Sequence, residues 1–172
     1  MTIANKLGAS YEAIRSAARI KTIQVELNDV QFELKVRVPV KREMDDITTK
    51  LATPDANTVE KLYEEMSAPL RETVANAEEG FLEALNADGE KMKFTDNDVI
   101  VSGTSVRNVA TLTALWHKQV ELFFGLLQTP TGEPVTESYS EIADEFPEAV
   151  IREIVKKIDE AIRPSYKEAK KN

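Results

Sequence analysis

The chain contains no cysteine and a single histidine, His117, among its 172 residues. The absence of cysteine excludes disulfides, thiolate nucleophiles and cysteine-based zinc sites, and it is compatible with a reducing cytoplasm. One histidine leaves a histidine-based metal site short of ligands. No apolar run approaches the roughly 18 residues of a membrane-spanning helix. Disulfide-stabilised, zinc-dependent and membrane-spanning classes are therefore not expected.

The formal charge is −8, and the acidic excess lies in the middle of the chain. Residues 41–100 hold 7 basic and 15 acidic side chains, whereas residues 1–40 carry a net +2 and residues 101–172 a net −2. Nucleic-acid binding normally needs clustered lysine and arginine, so this chain is not expected to bind nucleic acid. We interpret the acidic segment as a solvated helical face, with a docking surface for a basic partner as the alternative.

Residues 20–40 alternate between apolar and polar side chains, which predicts two strands. Asn28 and Asp29 separate them and tolerate the positive φ that a two-residue hairpin turn requires. This turn places all apolar pairs on one face of the hairpin: Leu27 with Val30, Val25 with Phe32, and Ile23 with Leu34. Two strands alone are marginal in water, so we expect helices to cover the apolar face.

The remaining patterns are mainly helical. They predict helices over 2–19 and 41–52, followed by a helix that Asn57 and Glu60 cap. That helix restarts or kinks at Pro69 and reaches Leu85. Further along, the patterns predict a helix over 105–127 capped by Thr104 or Ser105, a short helix that starts at a capping box of Ser138 and Glu141, and a final helix over 147–163. Residues 99–101 are interpreted as a short third strand or a buried extended segment. The predicted fold class is α+β, with one domain over 1–163, the hairpin packed on helices 105–127 and 147–163, and a flexible tail over 164–172.

The helix predicted over 105–127 is unusually broad in its apolar surface. Its main stripe is Val109, Leu112, Trp116, Val120, Phe123, Phe124 and Leu127. Leu115, Leu122 and Leu126 widen that stripe beyond one ordinary face. The helix is either buried on several sides, or it packs one face on the core and presents another to a partner. On the second interpretation the candidate partner-binding residues are Leu115, Leu122 and Leu126, together with Tyr166 in the tail.

No catalytic constellation is recognisable. Neighbouring carboxylates at 45–46 and 64–65 diverge by about 100° on a helix and do not form an acid–base pair. The Asp96–Asp98 loop lacks the spacing of a calcium loop, and the Ser102–Ser105 segment before a helix lacks the lysine of a phosphate-binding motif. We expect no enzymatic activity, no metal and no cofactor. A pocket lined by three or more of Asp88, Asp96, Asp98, His117 and Ser102 would instead favour an enzyme.

Two stretches resemble the tail assembly chaperones of long-tailed bacteriophages. Residues 93–103, Lys-Phe-Thr-Asp-Asn-Asp-Val-Ile-Val-Ser-Gly, leading into Leu115-Trp116-His117, are similar to an arrangement in the lambda minor tail protein G. Residues 139–171, which begin Tyr-Ser-Glu-Ile, are similar to chaperone C-termini from more distant siphophages. The strand over 32–39, which ends in Val-Pro and enters an acidic helix, also fits that group.

The resemblance implies a non-enzymatic protein of the host bacterial cytoplasm that acts in virion morphogenesis. Such chaperones bind the long tape measure protein before the tail tube polymerises around it. The alternative is a structural tail completion or tube-associated protein that is retained in the virion. Self-association into a homo-oligomer is left open, and no membrane partner is expected.

The resemblance also implies ribosomal frameshifting, in which a longer form carries a domain that recruits tail tube protein. Lys170 and Lys171 are the candidate frameshift site, because a slippery heptamer of the form A-AAA-AAG encodes Lys-Lys after a codon that ends in adenine. The codon of Ala169 can end in adenine. The other interpretation is that these lysines only solubilise a frayed terminus.

Overall fold

The computed structural model describes Ile3, Lys6, Gly8 and residues 19–27 and 29–163. Numbered in chain order, its elements are β1 (Ile20–Leu27), β2 (Val30–Arg37), α1 (Lys41–Ala52), α2 (Ala56–Ala75), α3 (Phe81–Leu85), β3 (Met92–Phe94), β4 (Val99–Val101), β5 (Thr104–Ser105), α4 (Val106–Phe124), β6 (Leu127–Gln128), α5 (Tyr139–Glu145) and α6 (Glu148–Ile162). The predicted α+β class is confirmed. Most of the helix predicted over 2–19, and the whole tail 164–172, lie outside the described residues.

The chain divides into two compact units. The first comprises residues 1–49 and 119–172, and the second comprises residues 50–118. Both boundaries fall inside helices, one in α1 and one in α4. Each unit has its own small antiparallel sheet, with strand order β1-β2-β6 in the first and β3-β4-β5 in the second. The single domain predicted over 1–163 stays a prediction, because compactness does not establish which segments fold independently.

The hairpin of the first unit has the predicted register. Leu27 is opposite Val30, Val25 opposite Phe32 and Ile23 opposite Leu34. Asp29 adopts the expected positive φ, at 65°. Ile23, Val25 and Val36 are buried, whereas Thr22, Gln24 and Lys35 are exposed, because side chains alternate between the faces of a strand. The sequence therefore predicted both the pairing and the buried face.

Helix α6 covers the apolar face of this hairpin, as expected, and packs on β1 and β2. The side of α6 predicted to face the core is buried throughout: Val150, Ile151, Ile154, Val155, Ile158 and Ile162. At the open end of the hairpin, the Glu43 carboxylate accepts hydrogen bonds from Arg19, at 3.0 Å, and from Arg37, at 2.9 Å. It also accepts one from the Val40 N–H, at 2.8 Å, so it joins both strands to the start of α1.

The second unit is built around a compact apolar cluster. Tyr63 of α2, Val99 of β4 and Val106 and Ala110 of α4 are its buried members. Leu62, Met66, Leu70, Phe94 and Val101 pack around them. The β4–β5 turn consists of Ser102 and Gly103, both with positive φ, which matches the turn type that suits a two-residue hairpin. The extended segment predicted over 99–101 is thus the central strand of a three-stranded sheet.

Two local predictions about helix α2 are wrong. Helix α2 is capped by Asp55, whose carboxylate accepts the Thr58 N–H at 2.8 Å, and not by Asn57 with Glu60. It continues through Pro69 to Ala75, so the segment near Leu85 is the separate helix α3, which Gly80 precedes with a φ of 86°.

The long helix is shorter than predicted, because it ends at Phe124, and Leu127 joins β2 as part of β6. A Cβ on Gly125 would lie 3.3 Å from the Glu121 carbonyl oxygen, so glycine suits this close exit from the helix. Among the described residues, no helix has the length and apolar character needed to cross a membrane.

Candidate partner-binding surface

The N-terminus of α4 is held by two side chains. The Ser105 hydroxyl oxygen accepts the Asn108 N–H at 2.9 Å, which confirms the cap predicted at 104 or 105. An Asp98 carboxylate oxygen accepts the Arg107 N–H at 3.0 Å and the Val99 N–H at 2.8 Å. The Ser105 hydroxyl donates to the other Asp98 oxygen. One carboxylate therefore fixes the β3–β4 hairpin to the first turn of α4, a role that the sequence analysis missed.

The charge balance at this helix end favours an ionised Asp98. Burial raises the pKa of Asp98, but hydrogen bonds from Ser105 and from the Arg107 and Val99 N–H groups, together with the positive charge of Arg107, hold the pKa below its ordinary value. The Ser102–Ser105 segment precedes the N-terminus of α4, where an anion could bind. The protein's own carboxylate already occupies that position at the helix N-terminus, where a negative charge is favoured.

The charged side chains of α4 lie on one side of the helix. Arg107, Lys118 and Glu121 are the charged residues within Val106–Phe124. With 3.6 residues per turn they fall within about 60° of one another. Lys118 donates to the Thr53 carbonyl oxygen at 3.1 Å, and Glu121 accepts the Tyr139 N–H at 2.9 Å. The charges of α4 are thus engaged in contacts within each unit.

Arg107 makes the most extensive of these contacts. Its guanidinium lies 2.7 Å from a Glu60 carboxylate oxygen and 3.9 Å from the centre of the Tyr63 ring, over its face. Its Nε donates to the Asn97 carbonyl oxygen at 2.8 Å. The ion pair raises the pKa of Arg107 and lowers that of Glu60. Tyr63 also accepts a hydrogen bond from Arg71, at 3.0 Å, so arginines contact both its ring and its hydroxyl.

The opposite side of α4 carries no charge. Asn108, Val109, Leu112, Leu115 and Trp116 lie within an arc of about 120° on that side, and we call this surface the neutral face. Leu112 is 59% exposed and Val109 is 38% exposed, whereas Leu115 and Trp116 are half-buried. The neutral face is therefore an accessible apolar surface on a regular, capped helix.

Only some of the predicted partner-binding residues lie on such a surface. Leu115 lies on the neutral face, and Leu122 is half-buried in the first unit. Leu126 is 3% exposed, which corrects its assignment, because a side chain buried in the core offers no area to a partner. Tyr166, Lys170 and Lys171 lie outside the described residues.

Sequence reasoning placed Val109 and Leu112 in the inward stripe, and the structure exposes them. The side of α4 that faces the core of the second unit is instead built from smaller side chains, namely Val106, Ala110 and Ala114. Small residues let a neighbouring helix approach closely, so the largest apolar side chains need not mark the buried side. The sequence offered no signal against this placement, because the side of α4 opposite Arg107, Lys118 and Glu121 lacks charge, as a side that faces a core does.

Among the residues that the structure describes, no group of three acidic or histidine side chains is arranged to hold a metal ion. Comparisons with protein-family models, curated proteins and solved structures give no match to this chain.

Proposed function

We propose that this protein is a tail assembly chaperone that binds the tape measure protein in the host bacterial cytoplasm during tail morphogenesis, and that it does so without catalysing a reaction. The observation that carries the proposal is the neutral face, on which Leu112 is 59% exposed. The resemblance of residues 93–117 and 139–171 to phage tail assembly chaperones supplies the class of partner.

An exposed leucine and valine on the same helix face favour a binding role. Contiguous apolar surface on a folded chain commonly marks an interaction site. A chaperone needs such a surface on a helix that holds its shape before the partner arrives, since a preformed surface lowers the ordering cost of binding. Ser105 and Asp98 provide this order by fixing the first turn of α4.

The test is to look for a gene for a long tape measure protein next to the gene for this chain, and to co-express the two proteins. We expect the soluble yield of the tape measure protein to rise when this protein is present. Unchanged yield, with both proteins folded, would contradict the proposal. Mass spectrometry of purified virions then separates a chaperone from a retained tail completion or tube-associated protein, because only the retained protein should be found in the particle.

A longer, frameshifted form that recruits tail tube protein belongs to the same proposal. It is supported by the Lys170-Lys171 pair, which a slippery heptamer of the form A-AAA-AAG can encode. The sequence of the coding DNA is the direct test of this longer form.

A further inference from the structure

We propose that the Asn86 side chain closes the outer edge of β3, so that a second copy of the chain cannot add its own β3 to the sheet of the second unit. The outer edge is the side of β3 that faces away from β4, because the strand order of this sheet is β3-β4-β5. This role of Asn86 is independent of the proposed function and would hold whatever the chain binds.

Every second residue of β3 turns its backbone groups away from β4. The Lys91 carbonyl oxygen accepts the Ser102 N–H at 2.7 Å, so residue 91 faces β4. The hydrogen-bonding groups of successive residues alternate between the two sides of a strand, and those of Met92 and Phe94 therefore point outward. Outward N–H and C=O groups of this kind are a template on which another strand can pair.

The Asn86 side chain lies on this edge and bonds as a residue of a neighbouring strand would. Its Oδ1 accepts the Met92 N–H at 2.9 Å, and its Nδ2 donates to the Met92 carbonyl oxygen at 2.8 Å. Two residues that face each other in an antiparallel pair exchange the same two kinds of bond. A strand from another molecule can therefore pair with Met92 only after the carboxamide has left.

Other bonds hold the carboxamide in place. Asn86 directly follows α3, and its N–H donates to the Leu82 carbonyl oxygen at 3.1 Å. Its Oδ1 also accepts the Lys91 N–H at 2.8 Å, and the Gly89 N–H donates to its carbonyl oxygen at 3.1 Å. A group fixed in this way competes well with a strand from solution, because only the incoming strand loses translational and rotational freedom on binding.

Lys93 is a second obstacle to pairing between copies. The antiparallel register that uses both outward residues of β3 would place Met92 opposite Phe94 of the second copy, and the two Lys93 side chains opposite each other. Lys93 is exposed, and its ammonium lies 3.2 Å from a Glu90 carboxylate oxygen. Like charges directly opposite each other destabilise a strand pair, and lysine on an edge strand discourages pairing for this reason.

The test uses the full-length chain with Asn86→Ala, and with Asn86→Ala combined with Lys93→Thr. The matched control is Asn76→Ala, at an exposed asparagine that ends α2 in the same unit. Sedimentation measures the mass in solution as a function of protein concentration. Hydrogen exchange followed by NMR measures the protection of individual backbone amides.

In dilute solution, Asn86→Ala should speed exchange of the Met92 amide at least about tenfold and leave the Ser102 amide protected, because β3 stays paired with β4. At higher concentration the variant should approach twice the mass of one chain, and its Met92 and Phe94 amides should become protected. The double variant should do so at a concentration roughly two- to fivefold lower, because the opposed lysines are gone. The wild-type chain and Asn76→Ala should show no concentration-dependent protection of the Phe94 amide.

An Asn86→Ala variant that exposes the Met92 amide but keeps the wild-type mass at every concentration would overturn the inference, as would unchanged exchange of the Met92 amide. Loss of Ser102 protection in dilute Asn86→Ala would also overturn it, because Asn86 would then hold the hairpin together instead of closing its edge. Equal association of Asn76→Ala, or association without protection of Phe94, would place the contact elsewhere on the chain and would likewise reject a role at the β3 edge.

Discussion

Removing the Asp98 carboxylate should weaken the helix that carries the neutral face. Asp98→Ala leaves three donors without their acceptor, namely the Val99 and Arg107 N–H groups and the Ser105 hydroxyl. Loss of a helix cap costs about 0.5–2 kcal/mol of stability. Losing the other hydrogen bonds of Asp98 adds little to this cost, because the residue is partly exposed and water can replace the carboxylate as acceptor. We expect a loss of about 1–2 kcal/mol at pH 7, or a fall in Tm of roughly 2–8 °C for a chain of this size.

The same carboxylate gives this loss a defined pH dependence. Because folding lowers the pKa of Asp98, its stabilising contribution is present above the pKa of the unfolded chain and is lost as the pH falls through the lower pKa of the folded state. The wild-type chain and Asp98→Ala should therefore converge in stability in acid. Thermal unfolding followed by Trp116 fluorescence and by circular dichroism, at pH 7 and at acidic pH, measures both effects.

Asp96 supplies the matched control, because it is exposed and lies two residues away in the same loop. Asp96→Ala should change stability by less than about 0.5 kcal/mol. Equal stability of the two alanine variants at pH 7 would contradict the role assigned to the Asp98 carboxylate. So would a stability deficit of Asp98→Ala that is undiminished at a pH where the wild-type carboxylate is protonated.

Three further predictions concern a buried core residue, a buried hydroxyl and the coding DNA. Val25→Asp should prevent the first unit from folding, since it places an unpaired charge at a site that is 1% exposed. Thr22→Asp, on the solvent-exposed face of the hairpin, is the control and should stay folded as judged by circular dichroism. Cooperative unfolding of the Val25→Asp variant would contradict this prediction. Ser67→Ala should raise the free energy of unfolding by about 1 kcal/mol, because the Ser67 hydroxyl is buried with no hydrogen-bond partner among the described residues. The control is Ser140→Ala, at an exposed position. A Ser67→Ala variant that is less stable than the wild-type chain in urea unfolding would contradict this prediction. Sequencing of the coding DNA should show an A-AAA-AAG heptamer across Ala169 to Lys171 with an open −1 frame beyond it, and interrupted adenine codons there would reject this frameshift site.

The hairpin and the last helix could be predicted from the sequence because local rules determine them. Strict alternation on both sides of Asn28-Asp29 leaves one register that places all apolar pairs on the same face, and a slip of one residue would expose them. The capping box of Ser138 and Glu141 is complete within four residues. The apolar stripe of α6 is narrow, and its opposite side is charged, so its buried side is unambiguous.

The buried side of α4 was decided by tertiary structure. Its apolar residues surround most of the helix, so periodicity alone permits several orientations. The choice depends on contacts between residues far apart in sequence: Arg107 with Glu60, Lys118 with Thr53, and the packing of Ala110 with Tyr63. The Asp98 cap likewise requires the β3–β4 hairpin to bring residue 98 to the start of the helix. The sequence by itself determined that α4 has more apolar residues than one buried face can hold. Only the folded chain determined that Leu112 is exposed and Leu126 is buried, because long-range packing selects among helix orientations that the local pattern leaves equal.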